Sequence, residues 1–415
     1  MDTYSRETIF KNYLDWLAPH THHLTQVHAQ LLELRQQGLR QATAVITKQL
    51  NSLRLLSRER FSLADLKEFA KGDVTKCLGE RYAVYNGRRC PRIPSGDLLL
   101  MSRILTIQGQ PGQFDQTAGI TAEYDVPADG WYLETGKTQL PISIYLEIAL
   151  QPCGFLSAYL GTSLRFPEVD FFFRNLDGQV QLTARLDLRG KTIQTRAALL
   201  ETVFSGTTVI QHFSFELACE GTVFFKGRSS FGYFPNHSMD QVGLDGGKPS
   251  VPWLNGHPVP SGLRTLPKND HLNEKLRLIE QVATDLNGGA NRAGYVYASR
   301  ANSPEDWYYA CHFYQDPVMP GSLGIEAIAQ AMTVLAQEQA PALSNLSLAM
   351  NQEMTWKYRG QVLQKNQQMQ MEVHLRKNTA AEGGRSLSGD ASLWADDIRI
   401  YEIHNLTLAL QDERL

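Results

Sequence analysis

The chain is poor in cysteine. There are five in 415 residues (Cys77, Cys90, Cys153, Cys219 and Cys311), with no C-x-x-C pair and no histidine at metal-ligand spacing. An odd, scattered set excludes a disulfide framework and reads as reduced thiols in a cytoplasmic protein. Also lacking is a basic segment followed by an apolar core at the N-terminus, so no signal peptide is expected. No run reaches the roughly 18 apolar residues that a membrane span requires. Neither sign of charge dominates: 40 Lys plus Arg against 43 Asp plus Glu leave a formal net charge of −3. That near-balance argues against a nucleic-acid binder, which carries a basic face or an extreme pI.

What the sequence does have is length for two folded units. From Thr21 to Leu56, apolar residues recur at helical spacing among Gln, Arg and His, which predicts one long amphipathic helix, interrupted at Gly38. Such a helix serves as a linker or docking element, and His20, His22, His23 and His28 on it read as solvated rather than as a metal tract. Ser62 then stands as N-cap of "SLADLKEFA", with Asp65 three positions on as a capping-box partner.

Beyond Cys90 the sequence repeats itself weakly at a long period. "LLLMSRILTI" (from Leu98) answers to "KLRLIEQVAT" (from Lys275), and "AGITAEYDVPADGWY" (from Ala118) to "AGYVYASRANSPEDWYY" (from Ala293). "PISIYLEIALQ" (from Pro141) answers to "PGSLGIEAIAQ" (from Pro320). Each copy then enters strand-like stretches. In "GQVQLTARLDL", Val180, Leu182, Ala184 and Leu186 alternate as in a half-buried strand, and "GQVLQKNQQMQMEVHLRK" (from Gly360) is its counterpart. One central helix with several long antiparallel strands per copy predicts an α+β fold, a sheet wrapped on a helix, twice. The Gly- and Pro-rich stretch Gly243–Gly262 joins the copies, which form a pseudo-twofold pair.

The chemistry concentrates in "CHFYQDPVMPGSLGIEAIAQ" (Cys311–Gln330). Pro317 and Pro320 stiffen the segment after His312. Gly321 opens a helix whose first amides point at a developing oxyanion. Glu326 follows about 7–8 Å along the axis among apolar neighbours, where burial makes its protonated form accessible. His312 is the natural base. Together these suit proton abstraction beside a thioester carbonyl with loss of a β-hydroxyl. His212, His374 and His404 lie in strand-like runs as ordinary sheet residues. His237, His257 and His271 fall in connectors. The aromatics of Phe224–Phe234 read as sheet packing, and Asp316 as a turn-stabilising side chain.

The segment His312–Gln330 resembles the active-site segment of the β-hydroxyacyl-acyl carrier protein dehydratases of the β-hydroxydecanoyl type, which have the hot-dog fold. The likeness runs through His312, Phe313, Asp316, Pro317, Val318, Met319, Pro320, Gly321, Leu323, Gly324 and Gln330, and on to "WKYRGQV" (Trp356–Val362). That type has Asp where Glu326 stands; a sister class has Glu. The first copy, with "LEIALQPCGFLSAYLGTSL" and the lead-in "FSLADLKEFAKGDVTKCLGERYAV", resembles dehydratase domains of polyunsaturated fatty acid and polyketide-type synthases.

The resemblance implies a tandem, double hot-dog: 1–60 a helical linker or docking segment, 61–245 a first hot-dog without the catalytic His, 246–415 a second that carries it. Sixteen residues separate Trp131 from Glu147, whereas nineteen separate Trp307 from Glu326, so the first copy has a shorter loop with no base in it. In the family, each site takes its His from one hot-dog and its acid from the other. The implied pair is therefore His312 with Glu147, with Gln151 one turn on and Gly321 as oxyanion donor. Glu326 and Gln330 are left as a vestigial or alternative acid and its neighbour.

The implied activity is dehydration of a β-hydroxyacyl thioester to the trans-2-enoyl product. Alternatives are a dehydratase that also isomerises to the cis-3-enoyl chain, a hot-dog thioesterase, and a non-catalytic pseudo-dehydratase. No metal or redox cofactor is expected, the substrate riding on the phosphopantetheine arm of an acyl carrier protein. Expected partners are that carrier, other synthase domains through the N-terminal helix, and a second copy of the chain as a further expectation.

Overall fold

The computed structural model describes residues 59–134, 139–236, 243–267, 273–339, 345–381 and 384–411, with helical residues at 8, 11–12, 30, 32–35, 37–38 and 41. The chain divides into two compact units, Met1–Arg58 and Glu59–Leu415. In the first unit the described residues are helical, Gly38 among them. The rest of the expected Thr21–Leu56 helix, with His20, His22, His23 and His28, lies outside the described residues, as do His237 and His271.

The second unit opens with α1 (Leu63–Ala70) and α2 (Val74–Leu78). Ser62 and Asp65 form the expected capping box: the Ser62 hydroxyl accepts from the Asp65 amide, and the Asp65 carboxylate accepts from the Ser62 amide at 2.8 Å. There follow β1 (Arg103–Gln108), β2 (Ala118–Asp125), helix α3 (Ile142–Leu160), β3 (Phe171–Leu182), β4 (Thr192–Ser205), β5 (Thr208–Cys219) and β6 (Thr222–Pro235). The same order then recurs. Short β7 (Arg264–Thr265) precedes β8 (Gln281–Asp285), β9 (Tyr295–Ala301), helix α4 (Gly321–Gln339), β10 (Asn345–Leu348), β11 (Glu353–Tyr358), β12 (Gln368–Ala381), β13 (Gly384–Ala395) and β14 (Ile398–Gln411).

All these strands join one antiparallel sheet, ordered β1-β2-β4-β5-β6-β3-β11-β14-β13-β12-β9-β8-β7, with β10 beside β14. Outward from the β3–β11 seam, β6, β5, β4, β2 and β1 on one side answer to β14, β13, β12, β9 and β8 on the other. The pseudo-twofold expected from the repeat thus runs through the seam. There Gly178 stands opposite Trp356, and a Cβ at Gly178 would collide with that indole. The indole nitrogen donates to Asn175 Oδ1 at 2.7 Å.

Two strand expectations need correction. The alternation from Val180 to Leu186 continues past the strand, because β3 ends at Leu182, where the Thr183 and Ala184 amides both turn to the Phe224 carbonyl. The counterpart of β3 is β11, and that of β12 is β4; "GQVLQKN" is not strand but a segment beside the His312 loop.

Helix α3 is apolar on almost every side, and it is buried on almost every side against β2, β4, β5 and α4. Phe155, wholly buried, meets Phe61 and Phe69 edge-on at 5.0 and 5.2 Å. Truncating it to Ala is worth about 3–5 kcal/mol. Pro152 inside α3 cannot donate to the Ile148 carbonyl one turn back; Thr195 on β4 supplies that bond instead, at 3.2 Å. The helix stops at Gly161, whose left-handed φ of 81° suits glycine. Helix α4 packs likewise on β9, β12, β13 and β14.

Candidate active site

His312 sits in a loop that folds onto itself. Phe313 and Asp316 exchange backbone hydrogen bonds at 3.0 and 3.1 Å, and the Val318 amide donates to the His312 carbonyl at 2.8 Å. The Val318 carbonyl lies 2.9 Å from His312 Nδ1. A carbonyl can only accept, so Nδ1 carries the proton and Nε2 keeps its lone pair. Burial pushes the ring far below its ordinary value of 6.5, to about 3, with the Val318 contact opposing. His312 is therefore a neutral base at physiological pH.

The loop is tied to the first half of the repeat at two points. The Ser95 amide donates to the Cys311 carbonyl at 2.8 Å. Asp316 accepts a two-pronged guanidinium from Arg174 on β3 at 2.6 and 2.7 Å, both side chains being 12% exposed. Asp316 therefore does more than shape a turn. It locks the His312 loop to the opposite half, a role invisible without knowing that β3 runs beside it.

Glu147 lies on the inner face of α3, 7% exposed. Its Oε1 accepts from Ser322 on the first turn of α4 at 2.6 Å, and its Oε2 from Gln151 Nε2 at 3.0 Å. The Gln151 amide has no freedom to flip: its nitrogen also donates to the Leu98 carbonyl at 2.7 Å, and its oxygen accepts from the Leu100 amide at 3.0 Å. Burial raises the Glu147 carboxyl above its ordinary 4.5, with the Ser322 and Gln151 donors opposing. The protonated acid is accordingly accessible.

Both residues line one cavity of about 230 Å³. Gly321 and Ser322 contribute the start of α4, and Tyr358 closes the wall. A Cβ at Gly321 would stand 2.6 Å from the Tyr358 ring, so the backbone can approach here only as glycine. As the first residue of α4, Gly321 has no intrahelical acceptor for its amide. Leu150, Gly154, Ile93, Phe173 and Phe231 extend the cavity along α3 as an apolar channel. Phe231 and Phe234 were expected only to pack the sheet; both also line this cavity.

The symmetry-related carboxyl is elsewhere. Glu326 lines a second cavity, where Ser143, on the first turn of α3, donates to it through its amide at 3.2 Å and its hydroxyl at 3.3 Å. Gln330 repeats the anchoring of Gln151, donating to the Leu276 carbonyl at 2.8 Å. No histidine is among the described residues that line this second cavity. The structure thus brings His312, Glu147, Gln151 and Gly321 together, and keeps Glu326 and Gln330 apart from them.

His212, His374 and His404 are on β5, β12 and β14 as expected, and His257 stacks on Trp253 in the connector. All five cysteines are free, and among the described residues no three His, Cys, Asp or Glu side chains converge as a metal-ligand set. Sequence reasoning missed Ser322, Arg174 and Tyr358. A signal for the first existed: Pro141-Ile142-Ser143 and Pro320-Gly321-Ser322 share a Pro-x-Ser at the start of both central helices.

Comparison with known proteins follows the same division. Residues 271–404 match the FabA-like domain family. The chain is 31% identical over 382 residues to a polyunsaturated fatty acid synthase polypeptide of Thraustochytrium sp. (strain ATCC 26185 / S-3), an alignment covering 83% of this chain and 26% of that protein. The chain spans about a quarter of the length of that relative. Among solved structures, a dehydratase domain of a trans-AT polyketide synthase from Brevibacillus brevis is 11% identical, with a TM-score of 0.42, over 75% of this chain and 98% of that one. The 12:0-ACP thioesterase of Umbellularia californica is 9% identical, with a TM-score of 0.40, over 71% and 94%. Likenesses at that level do not bear on activity. The tandem helix-in-sheet architecture is that of a double hot-dog, and residues 271–404 within it match the FabA-like domain family.

Proposed function

We propose that the chain dehydrates a β-hydroxyacyl thioester, carried on an acyl carrier protein, to the trans-2-enoyl thioester. The observation that carries this reading is the meeting of His312 from the second half and Glu147 from the first on one cavity, at the start of α4.

The thioester carbonyl oxygen accepts from the Gly321 amide, which stabilises the enolate as it forms. One such donor contributes about 3–4 kcal/mol. His312 Nε2 takes the α-proton, and the electron pair moves to form the α,β double bond. The C–O bond at the β-carbon breaks, and the hydroxyl leaves as water with the proton of Glu147. Turnover leaves His312 protonated and Glu147 ionised, and proton exchange with solvent resets both. Ser322 and Gln151 hold the carboxyl in place throughout. General acid–base assistance of this kind contributes about 10²–10⁴-fold.

An acyl carrier protein and neighbouring synthase domains are the proposed partners, in keeping with the match to a synthase polypeptide of which the alignment covers 26%. The chemistry draws on no metal or redox cofactor. Incubation of the purified chain with a β-hydroxyacyl thioester, followed by mass, tests the reading. Loss of water with the thioester intact supports it. Release of free acid indicates hydrolysis instead, and an unchanged substrate removes the catalytic reading.

A further inference from the structure

No histidine is among the described residues of the second cavity, yet the cavity is open. Its volume is about 520 Å³, against about 230 Å³ for the cavity at Glu147, and lies within the range of small-molecule sites. One face of α4 forms its floor through Glu326, Ala329, Gln330, Thr333, Val334 and Gln337, a stripe about 16 Å long at 1.5 Å per residue. The opposite wall is apolar, with Leu140, Tyr145, Leu182, Ile279 and Leu348.

Among the described residues, one cation faces this cavity: Arg277, half-buried. Among the described residues its guanidinium makes no ion pair and no hydrogen bond. The two carboxylates nearby do not lack partners. Glu326 is held by Ser143, and Glu134 has an interaction of its own. An elongated cavity with one apolar wall and an uncommitted planar cation selects a carboxylate on a long aliphatic chain, since a guanidinium meets a carboxylate with two parallel hydrogen bonds.

We infer that the second cavity is a non-catalytic binding site for a free fatty acid, its carboxylate on Arg277 and its chain against the apolar wall of Leu140, Leu182, Ile279 and Leu348. The half that lost its base has kept its lipid channel. Bound acyl chains meet no histidine among the described residues of its wall.

Dodecanoate titrated calorimetrically into the full chain tests this, with Arg277→Ala, Arg277→Lys and Thr333→Trp beside the unaltered protein. The expected result is at least a tenfold loss of affinity in Arg277→Ala, partial retention in Arg277→Lys, and loss in Thr333→Trp. Dodecan-1-ol, which has the same chain without the carboxylate, binds the unaltered protein more weakly and is indifferent to Arg277→Ala. Turnover of a β-hydroxyacyl thioester is unchanged in Arg277→Ala, which touches nothing in the first cavity. Dodecanoate affinity insensitive to Arg277→Ala places the ligand elsewhere and overturns the assignment; so does an unaltered chain that fails to bind it. If Thr333→Trp does not fold, Arg277→Ala alone decides. Binding here is independent of the chemistry at His312: a chain that binds dodecanoate through Arg277 but never dehydrates would overturn the proposed function and leave this site standing.

Discussion

Ser322 Oγ donates to Glu147 Oε1 across 2.6 Å, joining the first turn of one central helix to a carboxyl buried on the other. The bond favours the ionised acid while burial disfavours it, so it sets how far the carboxyl rises. Ser322→Ala should raise Glu147 further and move the alkaline limb of kcat to higher pH, with kcat itself lowered about tenfold. A pH–rate profile of this variant beside the unaltered protein checks it. An alkaline limb that does not move removes Glu147 as the titrating acid.

His312→Ala should lower kcat by about 10²–10⁴-fold, the usual worth of a positioned base. Its fold should survive, because backbone bonds and Arg174 hold the loop alongside the one imidazole bond to Val318. Turnover and circular dichroism, taken on one preparation, test both halves of that statement.

The pH dependence follows from two opposite shifts. Folded His312 takes its proton only near pH 3, whereas an ordinary imidazole does so near 6.5. Between those values the unfolded chain binds more protons, so stability falls as pH drops through that window. Glu147 acts in the opposite sense: the folded carboxyl keeps its proton above 4.5, where the unfolded one loses it, so its contribution is present in acid and is lost as pH rises. Replacing His312 by Asn should therefore make the chain more resistant to acid between pH 3 and 6.5. In the unaltered protein, kcat/KM should hold well below pH 6.5. A conventional acid limb at 6.5 would contradict the burial of the ring.

The Arg174–Asp316 pair spans the two halves with both side chains 12% exposed. Removing either partner leaves a charge with little water and should cost about 3 kcal/mol or more. Arg174→Ala should also lower kcat, because the His312 loop loses its tie to β3. Denaturant unfolding and turnover, measured together, separate the two effects. Unchanged stability would mean that the pair is solvated.

What was legible in the sequence was local or repeated. The Ser62–Asp65 capping box spans three residues, and the His312 loop declares itself through Pro317, Pro320 and Gly321, whose backbone restrictions act where they stand. The shortening of the first copy between Trp131 and Glu147 could be counted directly, whereas the pairing of Glu147 with His312 is what the family resemblance implied. The strand ends could not be read so easily. Apolar alternation from Val180 to Leu186 has the period of a strand, but the ladder stops at Leu182, where its neighbour's carbonyl takes two amides. Arg174 and Tyr358 were missed because each acts on residues far away along the chain; Tyr358 lies in "WKYRGQV", but nothing in that string places it against Gly321. Asp316 was visible but misjudged for the same reason: its partner is 142 residues distant.

The central claim is that one imidazole and one carboxyl from opposite halves serve a single thioester. Steady-state dehydration by Glu147→Gln and Glu326→Gln, purified and assayed side by side, tests it most directly. The account predicts that Glu147→Gln loses turnover while Glu326→Gln retains it. An active Glu147→Gln beside a dead Glu326→Gln would contradict it.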